Sequence, residues 1–151
     1  MASDFPAFVA YHHEHYDVGS YAIDSANVGK AGALCFLNTA DNEVEQCGAD
    51  PALILGLMTG PYTARTIYPD SKMPVIVLDQ GVVVGMCSAT TPADSHLTDL
   101  YGIVKLASGN WAVDVADTTN TRVQVVRVDV AAGIFYVKFL PANLQSDADV
   151  G

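Results

Sequence analysis

Arg122-Val123-Gln124-Val125-Val126-Arg127-Val128-Asp129-Val130 runs into Ala131-Ala132-Gly133 and then into Ile134-Phe135-Tyr136-Val137-Lys138-Phe139-Leu140-Pro141, and the fold is decided there. Polar residues alternate with valine from Arg122 to Gln124, the period of a strand with one buried face. The phase slips at Val125-Val126 and resumes at Arg127, which predicts a β-bulge. Ala131-Ala132-Gly133 predicts a turn. After it, Phe135, Val137 and Phe139 share one face and Lys138 lies on the other. Pro141 ends the strand.

The same rhythm extends towards the N-terminus. Ala33 to Leu37 is followed by the turn residues Asn38 to Asn42, and Glu43 to Cys47 alternates up to Gly48. Ala52-Leu53-Ile54-Leu55-Gly56-Leu57-Met58 is a continuous apolar run, as expected of a strand buried on both sides. Val75 to Leu78, Asp79-Gln80-Gly81 and Val82 to Val84 read as a hairpin with a three-residue loop. At most one short helix is expected, with Thr91 as its plausible cap and Pro92 at its first position, ending near residue 97 or 100. About nine strands at intervals of roughly 8–15 residues predict an all-β fold, a small barrel or sandwich. Residues 1–20 show the rhythm less clearly and read as an extended N-terminal arm dispensable for folding. A single β domain spans 21–145, and 146–151 form a tail. Leu34, Phe36, Leu55, Val77, Val83, Val125, Phe135, Val137 and Phe139 are the expected core.

Composition narrows the function. Half of the 151 residues are hydrophobic and 16% are charged, yet no apolar run exceeds eight residues. A membrane helix needs about 20, whereas soluble domains carry about 25% charge. Surface covered by protein, either further copies or a partner, reconciles the two. The net charge of −10, from 17 acids against seven Lys and Arg, repels nucleic acid and anionic membrane. Asp outnumbers Glu, which favours turns over helices. Cys35, Cys47 and Cys87 match neither a disulfide framework nor a zinc spacing. The first 11 residues lack the positive start of a secretory signal, so synthesis in the cytoplasm is expected.

Each candidate chemical constellation has a simpler reading. His12-His13-Glu14-His15 carries ligand chemistry but sits beside Tyr11 and Tyr16 in the arm. Ser95, His96 and Asp99 lie too close in sequence for triad geometry. Gly29-Lys30 lacks the glycine pattern of a phosphate loop. Asp114 and Asp117 lack the alternating ligands of a Ca²⁺ loop. Trp111 opens a strand and reads as core. The expectation is no enzyme, no catalytic or metal residue and no cofactor. The arm's Phe5, Phe8, Tyr11 and Tyr16 are the candidate partner-binding residues, because aromatics there are costly in water and useful when docked.

Gly32-Ala33-Leu34, Cys47 to Pro51 leading into Leu53-Ile54-Leu55-Gly56, Tyr101-Gly102, Gly109-Asn110-Trp111-Ala112-Val113-Asp114 and the closing strand pair follow one another in a characteristic layout. Over residues 28–145 that layout resembles the decoration (cement) proteins and minor head structural proteins of tailed bacteriophages. The resemblance implies a β-tulip-like domain that binds the outer capsid surface in many copies. It further implies a major capsid protein as partner, a homo-oligomer on the particle, and localisation on the virion after synthesis in the host cytoplasm. Two other readings stand beside it. A carbohydrate- or receptor-binding fibre or tip module would use Trp111, Tyr101 and Tyr68. A small all-β trimeric enzyme, such as a nucleotide hydrolase, would need phosphate motifs that the sequence lacks.

Overall fold

The computed structural model describes residues 3–12, 17–22, 28–60, 62–63 and 72–145. The chain is nearly all β. In order come β1 (Phe8–His12), β2 (Asp17–Ala22), β3 (Val28–Gly29), β4 (Leu34–Asn38), β5 (Glu43–Gln46), β6 (Gly56–Met58), β7 (Tyr62–Thr63), β8 (Lys72–Val77), β9 (Val82–Ser88), β10 (Leu100–Lys105), β11 (Trp111–Asp114), β12 (Val123–Asp129) and β13 (Ile134–Phe139). The helical elements are two single 3-10 turns, Asp94–His96 and Pro141–Asn143.

β9, β11, β10, β12 and β13 close into a barrel through pairing of β13 back onto β9. Closure removes the bare edges that the low charge would otherwise leave unprotected. β2, β8, β6, β4 and β5 form a second, antiparallel sheet, and β3 and β7 a short ribbon. One apolar cluster joins the two layers. Leu34, Leu57, Met73 and Val75 enter it from the second sheet, Ile54 from the segment before β6, and Val84, Met86, Trp111, Val125, Phe135 and Val137 from the barrel. Each such side chain contributes about 1.5–3 kcal/mol when fully buried.

The closing hairpin follows its sequence pattern. β12 and β13 pair from Val123↔Phe139 to Asp129↔Ile134, with a register shift between Val125 and Arg127. The turn places Gly133 at φ 71°, a left-handed conformation suited to glycine. Asp129 caps it by accepting from the Ala132 and Gly133 backbone N–H groups. Phe135, Val137 and Phe139 are buried and Lys138 is exposed.

Several expectations are corrected. The described part of residues 1–20 is paired into the domain rather than set apart from it, with β1 on β9 and β2 on β8. Ser3 accepts from the Ser88 N–H and donates to the Gly133 carbonyl, and Ala7 is buried against Gly32. Pairing partners remote in sequence supply the order that local alternation does not announce. Residues 75–84 form no hairpin either. Asp79 does cap a turn there by accepting from the Gly81 and Val82 N–H groups. However, β8 continues the second sheet and β9 enters the barrel. Of residues 52–58 only Gly56–Met58 joins a ladder, while Ile54 bridges Leu144. The short helical segment is a single 3-10 turn, Asp94–His96, entered from Ala93 rather than capped by Thr91. Phe36 and Val77 are half-buried, whereas the other seven expected core residues are buried.

Candidate functional site

The barrel's outer wall carries the aromatics. Register aligns Phe8 of β1 with Gly85 of β9, Gly85 with Tyr136 of β13, and Tyr136 with Arg127 of β12. The four residues form one row across four strands. The Phe8 ring lies directly over Gly85, where a Cβ would collide with the far edge of the ring. Phe8 meets Tyr136 edge-to-face at 6.5 Å and Phe5 at 5.9 Å. Such pairs stabilise by about 0.5–1.5 kcal/mol beyond simple burial. The Arg127 guanidinium lies 4.9 Å from the Tyr136 ring centroid in a cation–π contact. Phe8 nonetheless remains 39% exposed. An apolar depression beside it is lined by Ala10, Val83, Val126, Arg127 and Tyr136. The β12 bulge turns Val126 outward onto this wall at 39% exposure, beside the fully buried Val125.

The candidate partner-binding residues divide accordingly. Phe5 and Phe8 come together on the wall. Tyr11 lies in β1 opposite Val83. Tyr16 lies outside the described residues. Phe8 stands on β1, which pairs along barrel strand β9, and Phe5 lies just before it. Sequence reasoning missed Ala10, Tyr136, Arg127 and Val126. The off-phase Val126 was the available signal, because a bulge residue next to a buried valine must point elsewhere.

The described members of the remaining constellations make local contacts. His12 closes β1, and 13–15 lie outside the described residues. The Ala93 N–H donates to His96 Nδ1, and the His96 ring packs between Tyr101 and Phe135. Asp99 accepts from the Tyr101 hydroxyl, whose pKa is raised by burial and then by that carboxylate. Asp117 accepts from the backbone N–H groups of Thr119 and Asn120, and Asp114 from that of Ala116. Both are Asx-turn caps.

All three thiols are buried. Desolvation pushes Cys47 up to about 12 and raises Cys35 and Cys87, which disfavours the reactive thiolate in each. Trp111 is fully buried and its Nε1–H donates to the Gly48 carbonyl, 3.1 Å away. Tyr101 is also buried, and Tyr68 lies outside the described residues, so the two described members of the expected sugar-binding trio offer no open platform.

A second exposed apolar pair, Leu97 and Leu100, flanks Thr98 at φ 69°. That conformation is a genuine outlier for a β-branched residue. It is held by the Thr98 N–H bond to the Val125 carbonyl.

No protein-family model matches the chain, and no curated protein sequence matches it.

Proposed function

We propose that this chain is a non-catalytic structural protein that docks onto a preformed protein lattice, as a decoration protein on the outer surface of a tailed-phage capsid. The capsid identity rests on the layout of residues 28–145, and the docking surface rests on the barrel wall. The observation that carries docking is Phe8. Gly85 and Tyr136 hold its ring in place, yet much of it faces water. An aromatic already fixed in position loses little rotamer entropy when a partner covers it. The net charge of −10 suits an outer shell and would oppose contact with packaged nucleic acid. On this reading the partner is the major capsid protein, the copies form a homo-oligomer on the particle, and the protein performs no chemistry.

The test is occupancy on purified phage particles. The wild-type protein should co-sediment at a fixed copy number. Phe8→Ser, confirmed as folded by its circular dichroism spectrum, should lower occupancy at limiting protein concentration by about tenfold or more, the loss expected for one central aromatic anchor. Absence of the wild-type protein from particles defeats the capsid reading. Unchanged occupancy by folded Phe8→Ser moves the docking surface elsewhere.

A further inference from the structure

We infer that a depression beside β4 and β5 is a docking pocket for a basic partner segment, one that offers an apolar side chain with a lysine or arginine two residues away. The pocket is lined by Phe36, Gly48, Pro51, Ala52 and Leu53 and measures about 270 Å³. Pockets for drug-sized ligands run from roughly 300 to 1,000 Å³, so this one suits a protruding side chain rather than a cofactor. Its loop is fixed from behind. Trp111 Nε1–H donates to the Gly48 carbonyl at 3.1 Å, Arg122 Nε–H to that of Pro51 at 2.8 Å, and Asn143 Nδ2 to that of Ala52 at 2.9 Å. Those donors satisfy the loop carbonyls and leave a lining of apolar side chains. Leu53 stays 45% exposed at the pocket, and half-buried Phe36 opens onto it. A site held in shape this way loses little entropy when it is filled. It shares no residue with the Phe8 wall, so the inference stands apart from the docking reading above.

Charge selects the occupant. Phe36 of β4 pairs with Glu45 of β5, so their side chains stand on one face with Cβ atoms about 4.5–5.5 Å apart. Glu43 follows two residues along β5 and faces the same side. The Glu45 carboxylate accepts from Asn38 Nδ2 at 2.7 Å, a neutral donor that leaves its charge in place. On the loop side Arg122 is paired with Asp50, 3.5 Å away, and Lys105 stands over the Trp111 ring. The β5 rim of the pocket is therefore acidic, on a chain whose net charge is −10. Local and long-range charge agree, so a basic segment is both steered towards this face and held there. In an extended segment residues two apart face the same side at a spacing of about 6.8 Å. An apolar side chain at one position enters the pocket while the base two residues on meets Glu45.

The probes are three blocked pentapeptides of serine. The first carries leucine at its second position and lysine at its fourth. In the second peptide glutamine replaces the lysine, and in the third serine replaces the leucine. Each is titrated into the full-length protein and followed by amide chemical shifts. The first should bind most tightly, about two- to fivefold more so than the glutamine peptide, the worth of one exposed ion pair. Its shifts should centre on Phe36, Glu45, Gly48, Ala52 and Leu53. Glu45→Gln should remove the preference for lysine. Asp94→Asn, which takes the same charge from the exposed 3-10 turn, should keep it, and this separates the local carboxylate from the net charge. Leu53→Ser, folded by its amide spectrum, should weaken both leucine peptides by about fourfold or more, the worth of one buried methylene. No binding, a preference that survives Glu45→Gln or is lost equally in Asp94→Asn, full affinity in Leu53→Ser, or shifts centred elsewhere overturns the inference. So do shifts at Phe36 and Leu53 when the protein alone is diluted, which would assign the pocket to a second copy. Absence of the protein from phage particles defeats the capsid reading and leaves this pocket standing.

Discussion

Val125 and Val126 are adjacent and chemically identical, yet one is fully buried and the other is 39% exposed. The β-bulge separates them, because the register shift spends an extra residue against β13 and re-aims the side chain. The same hairpin sends Phe135, 0% exposed, into the core beside His96, 5.5 Å between ring centroids. Phe135→Ala should therefore cost about 3–5 kcal/mol, the loss of a packed aromatic together with the cavity it leaves. Val126→Ser should stay within about 0.5 kcal/mol, as for surface substitutions generally. Urea midpoints at a constant slope measure both. A cost under about 1 kcal/mol for Phe135→Ala, well below the range for a packed ring, would mean that the face assigned to β13 is wrong. That face was legible in the sequence because Phe135, Val137 and Phe139 keep period two without interruption. Phe36 and Val77 were not, because their burial depends on what covers each side of the second sheet, and no local pattern encodes that cover.

At the scale of elements, the N-terminal segment departs furthest from its sequence reading. Phe5-Pro6-Ala7-Phe8 has no alternation and β2 carries Gly19, so nothing local marks two strands. The ladders that order them are long-range, β1 on β9 and β2 on β8. The turn at Asp79 was legible for the opposite reason: its chemistry is local, while the sheet that each flanking strand joins is not. Deleting residues 1–12 should accordingly prevent stable folding, since it strips β9 of a partner and uncovers Gly32 where Ala7 packs. Loss of the dispersed amide spectrum is the readout, and a folded truncation would restore the free-arm reading.

A milder change isolates the segment's polar clasp. Asp4 accepts hydrogen bonds of 2.7 Å from Asn110 Nδ2 and from Ser108 Oγ, which hold its carboxyl below the ordinary value of 3.8. A lowered pKa means that the carboxylate stabilises the fold above its ordinary range and loses that effect as pH falls through its folded value. Asp4→Ala should thus lower Tm at pH 7, and the two melting curves should converge only once pH has fallen through the folded value, well below 3.8. A Tm gap that persists unchanged at that acidity would assign the effect to packing rather than to the charge.

At the scale of the whole molecule, the question is whether a barrel and a second sheet behave as one cooperative unit. Trp111, the chain's lone tryptophan, stands in barrel strand β11 but donates its Nε1–H to Gly48, in the loop that follows β5 of the second sheet. Arg122, just before β12, donates to the Pro51 carbonyl, and Gln145 brackets Leu37 of β4 with a side-chain bond to its N–H and another to its carbonyl. Each contact crosses between the layers, and the apolar cluster beneath them is continuous. A chain of this size with one core is expected to unfold in an all-or-none transition. The two layers carry separate reporters. Trp111 fluorescence reads the environment of the barrel strand. Cys35 and Cys47, whose thiols are pushed up by burial, read the second sheet, because a raised pKa depletes the reactive thiolate and unfolding restores it. In rising urea at pH 8, the fluorescence change and the onset of labelling at Cys35 and Cys47, located by peptide mapping, should share one midpoint. Labelling of these thiols at a urea concentration where Trp111 is still native would show that the second sheet opens alone, and that the barrel, with its aromatic wall, is a separate folding unit.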